Sequence, residues 1–312
     1  MPDPFMPRSS VPRPDAAPPR LLAVVVLYRM QPAQSKTLAG LAQAFRADAA
    51  LEKQIDVLVW DNSSTAVGES SLPFGCTYRH APANAGVSGA YNAAAAMAGE
   101  RDCAWLLLLD QDTSITAEFL RGMLQHAAQA AGDEQVAAIV PFLYAGSFCL
   151  SPRLWHFGRH VPLPRPASGL TERREMFAAN SGTLMRVRAL HAIGGYSSRF
   201  WLDYSDIDLF HRLHAQNFAV RIAADLTLQH EVALLDYDAR MTPSRYATYL
   251  AAEGDFLDLY RGRAERLLHL LRLAVRAVRQ RRFADKTFSR MTRQELWRRL
   301  HVRRRARLRA RG

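Results

Sequence analysis

The apolar run Ala104-Trp105-Leu106-Leu107-Leu108-Leu109 passes without a break into Asp110-Gln111-Asp112. A short run with no polar face reads as a strand covered on both sides, so a buried strand carries two carboxylates to its own end. Such a strand calls for a sheet held between layers of helices, and ligands of those sheets bind outside the carboxyl ends of the strands. Two further runs have the same form. Leu21–Leu27 is apolar throughout, and Ile55–Trp60 ends in the polar cluster Asp61-Asn62-Ser63-Ser64. A helix over about residues 35–49 joins them into a β-α-β unit, which makes the strands parallel.

The alternation continues. A short strand near 77–79 precedes the loop Asn84-Ala85-Gly86-Val87-Ser88-Gly89-Ala90-Tyr91-Asn92, whose glycines suit close approach by a ligand, and the alanines 93–98 suit a helix. A helix is expected over 117–131, a strand over 136–141, regular structure again at 180–187 and a helix over 206–216. Residues 143–179, rich in Pro, Arg and aromatics with little periodicity, read as a long, partly irregular excursion. The fold expected is α/β, a Rossmann-like and mostly parallel sheet flanked by helices.

Carboxylates at the end of a buried strand need a chemical reason. A hard divalent cation, Mg²⁺ or Mn²⁺, takes oxygen ligands, often one or two protein carboxylates, and completes its shell with substrate phosphates and water. Roughly one Asp-x-Asp triplet is expected by chance in such a chain, and there are three, the others being Asp206-Ile207-Asp208 and Asp236-Tyr237-Asp238. Position after a buried strand is what separates Asp110 and Asp112 from the rest.

A length of 312 residues allows one large α/β domain with extensions. Three scattered cysteines form neither a disulfide framework nor a metal pair, which suits a reducing compartment. Residues 1–20 hold seven prolines and read as an unpacked leader; there is no signal-peptide apolar segment and no run near the ~20 apolar residues of a membrane span. The net charge of +12 is concentrated at one end: from Arg261 onward there are 19 Lys and Arg against 3 Asp and Glu, so the remainder is mildly acidic. In that tail Leu267, Leu268, Leu271, Val275 and Val278 recur at helical spacing among arginines, and Arg298–Arg311 is denser still in arginine. The pattern describes a basic amphipathic helix able to lie on an anionic membrane surface, or a helix packed on the domain. The division expected is a leader 1–20, a catalytic domain 21–262 and a basic helical tail 263–312.

Taken in order, Val24-Val25-Val26-Leu27-Tyr28, Trp60-Asp61-Asn62-Ser63-Ser64, Asn84-Ala85-Gly86 and Leu109-Asp110-Gln111-Asp112 resemble the nucleotide-sugar-binding half of family 2 glycosyltransferases of the GT-A fold. Asn180-Ser181-Gly182-Thr183, Gly194-Gly195-Tyr196, Phe200-Trp201-Leu202-Asp203-Tyr204-Ser205-Asp206-Ile207-Asp208-Leu209 with Arg212, and Gln229-His230 continue the resemblance. Asp-Gln-Asp and the Leu-Asp-Tyr-x-Asp pattern are most similar to bacterial rhamnosyltransferases of surface polysaccharide assembly.

The resemblance implies a role for each residue. Asp61 would accept the N3–H of a uracil or thymine, a task suited to an acceptor-only carboxylate, which points to a UDP- or dTDP-sugar. Asn84 and Gly86 would lie beside the nucleotide, with the following helix start facing the diphosphate. Asp110 would contact the donor sugar or ribose, or the metal's waters, Asp112 the metal, His230 the metal or the diphosphate, and Gly182 and Trp201 the substrates. Asp206 would be the base that takes the acceptor proton in an inverting transfer, with Asp203 as the alternative. The activity implied is metal-dependent transfer of a sugar, L-rhamnose from dTDP-L-rhamnose or another UDP/dTDP-sugar, to a lipid-linked glycan at the cytoplasmic face of the membrane. Sugar-nucleotide synthesis would require a glycine-rich, basic triphosphate loop after the first strand, and Leu27-Tyr28-Arg29-Met30 is not one. A nucleic-acid-binding role for the arginine-rich end leaves the acidic cluster of the body unexplained.

Overall fold

The computed structural model describes residues 20–309 except 69–71, 166–167, 230–240 and 284, with side chains described as far as residue 301. The first strand, β1 (Leu21–Leu27), is buried at every position and pairs in parallel with both β2 (Ile55–Asp61) and β4 (Trp105–Asp110). Its alternating side chains feed two cores: Leu22, Val24 and Val26 join one, Leu21, Ala23, Val25 and Leu27 the other. A strand that is apolar on both faces has no exposed side to offer, so helices cover both. Between β1 and β2 the helical segment is split at Asp48, whose carboxylate caps a second helix, giving α1 (Lys36–Ala47) and α2 (Ala49–Gln54).

The main sheet runs β3-β2-β1-β4-β11-β5-β12-β9, with β3 (Thr77–His80), β5 (Val136–Ala145), β9 (Thr171–Glu172), β11 (Leu184–Arg186) and β12 (Ala219–Gln229). It is mostly parallel, and β11 is the antiparallel insert between β4 and β5. That insert turns Asn180-Ser181-Gly182 back toward the end of β4, where Gly182 donates its N–H to Leu108 O at 2.8 Å. Helices α3 (Gly86–Glu100), α4 (Ala117–Gln129), α5 (Val187–Ala192) and α6 (Ser205–Ala215) complete the layers.

Two segments differ from the sequence expectation. The region 143–179 is more regular than its composition suggests: β5 runs on to Ala145 and pairs with β6 (Phe148–Ser151), and β7 (Arg153–His156), β8 (Arg159–Pro162) and β10 (Met176–Phe177) form a small second sheet. Strands of two to four residues are too short to show a period. Helix α3 begins at Gly86 rather than near Ala93 because tertiary bonds, described below, fix its first turn.

After residue 240, α7 (Pro243–Tyr260), α8 (Arg263–Arg279) and α9 (Thr287–Arg309) meet around Tyr246, Leu250, Leu273 and Phe288. The inward face of α8 is His269, Leu270, Leu273 and Ala277. The stripe read from the sequence is a different face: Leu267, Leu271, Val275 and Val278 are all exposed. Among the described residues no helix is long and apolar enough to cross a membrane.

Candidate active site

Three strand ends are stitched together at one edge of the sheet. Tyr28 N–H donates to Gln111 Oε1 and Arg29 N–H to Ser63 Oγ, both at 2.8 Å, so the residues after β1 tie the Asp61 loop to the Asp110–Asp112 loop. Asp61 is fully buried and accepts from Ser63 N (2.9 Å), Val67 N (2.9 Å) and Tyr78 Oη (2.6 Å). Burial alone would raise its pKa, but those hydrogen bonds outweigh burial and hold the carboxyl below its ordinary range; burial and the bond to Asp61 push the Tyr78 phenol up to about 12. Asp61 therefore shapes the loop it begins. Tyr28, to which the sequence reading assigned no role, is 43% exposed at this edge, and the Arg29 guanidinium lies 5.0 Å from its ring centre. Its only sequence signal is an aromatic residue directly after an apolar strand.

The Asp110–Asp112 loop is held from behind. Thr37 Oγ1 donates to Asp110 O, and Ser35 Oγ donates to Gln111 O at 2.7 Å, so the first turn of α1 fixes the loop backbone. Ser181 Oγ accepts from Asp110 N at 3.2 Å, and Tyr91 Oη donates to Asp110 Oδ1 at 3.3 Å. Asp112 is half-buried on the lip. Ser114 N–H donates to Gln229 O at 3.3 Å, which brings the end of β12 beside this loop. His230 is the next residue and lies outside the described residues, as do Asp236 and Asp238. Among the described residues no three His, Cys, Asp or Glu side chains converge as metal ligands. Two carboxylates at one strand end still fit a hard cation whose other ligands are diphosphate oxygens and water.

Opposite stands the start of α6, where three aspartates have three different environments. Asp208 is fully buried, accepts from Arg212 Nε (2.9 Å) and Tyr260 Oη (2.8 Å), and is structural. Asp203 accepts from Arg245 at 2.8 Å through Oδ1, while its buried Oδ2 has no hydrogen-bond partner among the described residues; burial outweighs Arg245 and raises its pKa. Asp206 accepts from Ile207 N at 2.8 Å. Burial, with smaller contributions from the charges of Asp203 and Asp110, raises its carboxyl to about 6. Between Asp110 and Asp206 lie Tyr91 and Tyr196, ring centres 5.2 Å apart, whose phenols are pushed well up by burial and by both carboxylates. Asn180 bridges to the same region through Ser205 Oγ (3.1 Å) and Tyr196 Oη (2.8 Å).

The loop from Asn84 to Gly86 locks the two sides. Asn84 Oδ1 accepts from Gly86 N at 3.2 Å, Asn62 Nδ2 donates to Gly86 O at 3.0 Å, and Ser88 gives its N–H to Trp201 O (3.2 Å) and its hydroxyl to Phe200 O (2.7 Å). Gly86 has φ +69°, and a Cβ there would strike the Trp201 carbonyl. The first turn of α3 thus spends the Ser88 donor on the loop that carries Trp201. Gly182, at φ +83°, has its open side against Leu228 and Pro141, a packing position. Trp201 is 37% exposed and lines a cavity of about 320 Å³ with Arg199, Asp203, Thr248 and Asp255, whereas Tyr204 is buried against Tyr249 and Phe256.

A mostly parallel central sheet flanked by helices, with carboxylates at its strand ends, is the GT-A architecture. The family model "Glycosyl transferase family 2" matches residues 32–193, and the chain belongs to that family. Among solved structures it is similar to S. aureus TarS residues 1–349, with TM-score 0.50 and 13% identity over 83% of this chain and 79% of that one. It is also similar to a longer S. aureus TarS, with TM-score 0.51 and 12% identity over 88% of this chain and 55% of that one. At such identities the likeness is one of fold. No curated protein matches the sequence.

Proposed function

We propose that the protein is an inverting glycosyltransferase in which Asp206 is the base, and that it moves L-rhamnose from dTDP-L-rhamnose to a hydroxyl of a lipid-linked glycan at the cytoplasmic membrane face. The observation that carries this reading is the contrast among the three α6 aspartates. Asp208 is neutralised by Arg212 and Asp203 is paired with Arg245, while Asp206 has a pKa raised to about 6 beside the strand-end carboxylates. A base with that pKa is ionised at neutral pH and is basic enough to take a hydroxyl proton.

In this scheme the acceptor hydroxyl sits against Asp206, its oxygen attacks the anomeric carbon, and the bond to the diphosphate breaks on the opposite side, toward Asp110 and Asp112. A divalent cation, Mg²⁺ or Mn²⁺, held by Asp112 with Asp110 and His230 beside it, would offset the charge of the leaving diphosphate. Asp61 and Tyr28 would receive the pyrimidine, and Trp201 would present an apolar face to the acceptor sugar. The choice of rhamnose rests on the Asp-Gln-Asp and Leu-Asp-Tyr-x-Asp patterns; another dTDP- or UDP-sugar is the alternative. Residues 21–262 would carry the transfer and 263–312 the membrane association.

Thermal shift with Mg²⁺ or Mn²⁺ tests the donor. A ligand bound only by the folded state raises apparent stability, so dTDP and UDP should raise Tm while CDP and GDP do not. Equal stabilisation by GDP would remove the base-reading role from Asp61.

A further inference from the structure

The exposed face of α8 does not stand alone. Strands β7 and β8 form a hairpin whose turn, Phe157-Gly158, has φ of +44° and +67° at its two residues, the left-handed pair that a tight two-residue hairpin loop needs. Arg272 of α8 clamps that turn by donating to Phe157 O at 2.8 Å and to Gly158 O. The clamp sets the Phe157 ring, 67% exposed, beside Leu271 at 61% and Val275 at 52%. Between hairpin and helix runs a groove of about 950 Å³, floored by Tyr249, Leu268, Leu271, Val275 and Phe283. Two elements more than a hundred residues apart thus converge on one apolar surface that the described residues leave exposed.

The charge around this surface has one sign. Arg159, Arg272 and Arg279 line the groove, and Arg281 and Arg282 are exposed just beyond the helix end. Within residues 263–282 the single acid is Glu265, and it turns toward Arg261 and the Trp155 indole. Apolar side chains projecting from a groove whose charged lining residues are all arginine complement a layer that is anionic at its surface and hydrocarbon beneath. A second copy of this chain would set arginine against arginine.

We infer that the α8 outer face and the Phe157 turn together dock the protein on an anionic phospholipid bilayer, with Phe157, Leu271 and Val275 entering the interface and Arg159 and Arg279 on the headgroups. This deepens the proposed reading by naming the membrane-facing surface, and it rests on that reading only for the acceptor being lipid-borne. The placement has a consequence for the active site. Tyr249 lines the groove and its ring centre is 5.8 Å from that of Tyr204, two residues before Asp206. Docking here holds the acceptor loop one aromatic layer from the lipid.

The test is flotation of the full-length chain with vesicles of phosphatidylcholine alone or with added phosphatidylglycerol, neither containing a glycan. Wild type should float with the anionic vesicles and not with the neutral ones. Arg159→Gln and Arg279→Gln should each lower the partition constant about five-fold, and the triple variant Phe157→Ser/Leu271→Ser/Val275→Ser should lower it at least ten-fold. These side chains are exposed, and circular dichroism should match wild type. Undiminished flotation of the triple variant overturns the inference and moves binding to another part of the chain. Absence of flotation by wild type overturns it, as does a wild-type dimer, seen by light scattering, that the triple variant abolishes without any vesicle binding. Stabilisation by dTDP is measured on the same samples. Stabilisation without flotation removes only the docking surface, and flotation without stabilisation removes only the nucleotide-sugar reading.

Discussion

Replacing Asp206 by Asn makes catalysis and stability change in opposite directions, with a pH dependence that the structure sets. The carboxyl is raised from 3.8 to about 6, chiefly by burial. Below pH 4 the folded and unfolded chains both hold the proton. Between pH 4 and 6 the unfolded chain releases it while the folded chain keeps it, so wild-type stability falls across that window and levels off above it. At ~1.4 kcal/mol per pH unit the loss is at most about 3 kcal/mol, and less where solvent reaches the carboxylate edge. With an unfolding entropy of ~2.1 cal/mol/K per residue, that corresponds to about 5 °C in Tm for a chain of 312 residues. The excess of Asp206→Asn over wild type should therefore be smallest at the acid end of the range and grow to ~5 °C at pH 8. In the same variant kcat/KM should drop ~10²–10⁴-fold, and the wild-type rise in kcat/KM through pH 6 should vanish. Calorimetry and donor turnover over pH 4.5–8 read both effects. A Tm difference that ignores pH, or a variant that retains the rising limb, would refute the assignment, and the same signature in Asp203→Asn would move the base there.

Asp112→Ala should remain folded, since the side chain sits half-buried on the lip, and should lose the metal-dependent part of the Tm rise given by dTDP; an unchanged rise removes Asp112 from the metal site. Gly86→Ala places a Cβ against the Trp201 carbonyl at a left-handed φ, and thermal melts should show ~1–3 kcal/mol of destabilisation with a fall in turnover. Asp208→Asn leaves the partly buried Arg212 without its countercharge and should lower stability by about 3 kcal/mol, the low end for a buried pair, in denaturant titrations. Activity per folded molecule should stay near wild type in that variant, and a selective loss of turnover would make Asp208 part of the chemistry.

The central half of the sheet was legible because its strands are unbroken apolar runs that stop at polar clusters. Leu21–Leu27 needed no context to be read, and the strand ending at Asp110 announced both its burial and its cargo. The first turn of α6 was legible as an acidic helix start, but the ranking of Asp203, Asp206 and Asp208 was not. Arg245, which pairs with Asp203, and Tyr260, which donates to Asp208, both come from α7. The beginning of α3 was misplaced for a similar reason: its first turn is fixed by carbonyls of Phe200 and Trp201. In α8 the hydrophobic period was real, but the helix has a second apolar face, and burial fell on Leu270, Leu273 and Ala277 instead.

The most direct test of the account is proton NMR of the first turnovers with dTDP-L-rhamnose, Mg²⁺ or Mn²⁺ and a lipid-linked glycan acceptor, run on wild type and on Asp206→Asn. The account predicts a new glycosidic anomeric signal of configuration opposite to the donor, growing with release of dTDP in wild type and ~10²–10⁴-fold slower in the variant. Retained configuration, or equal rates in the two proteins, would contradict it.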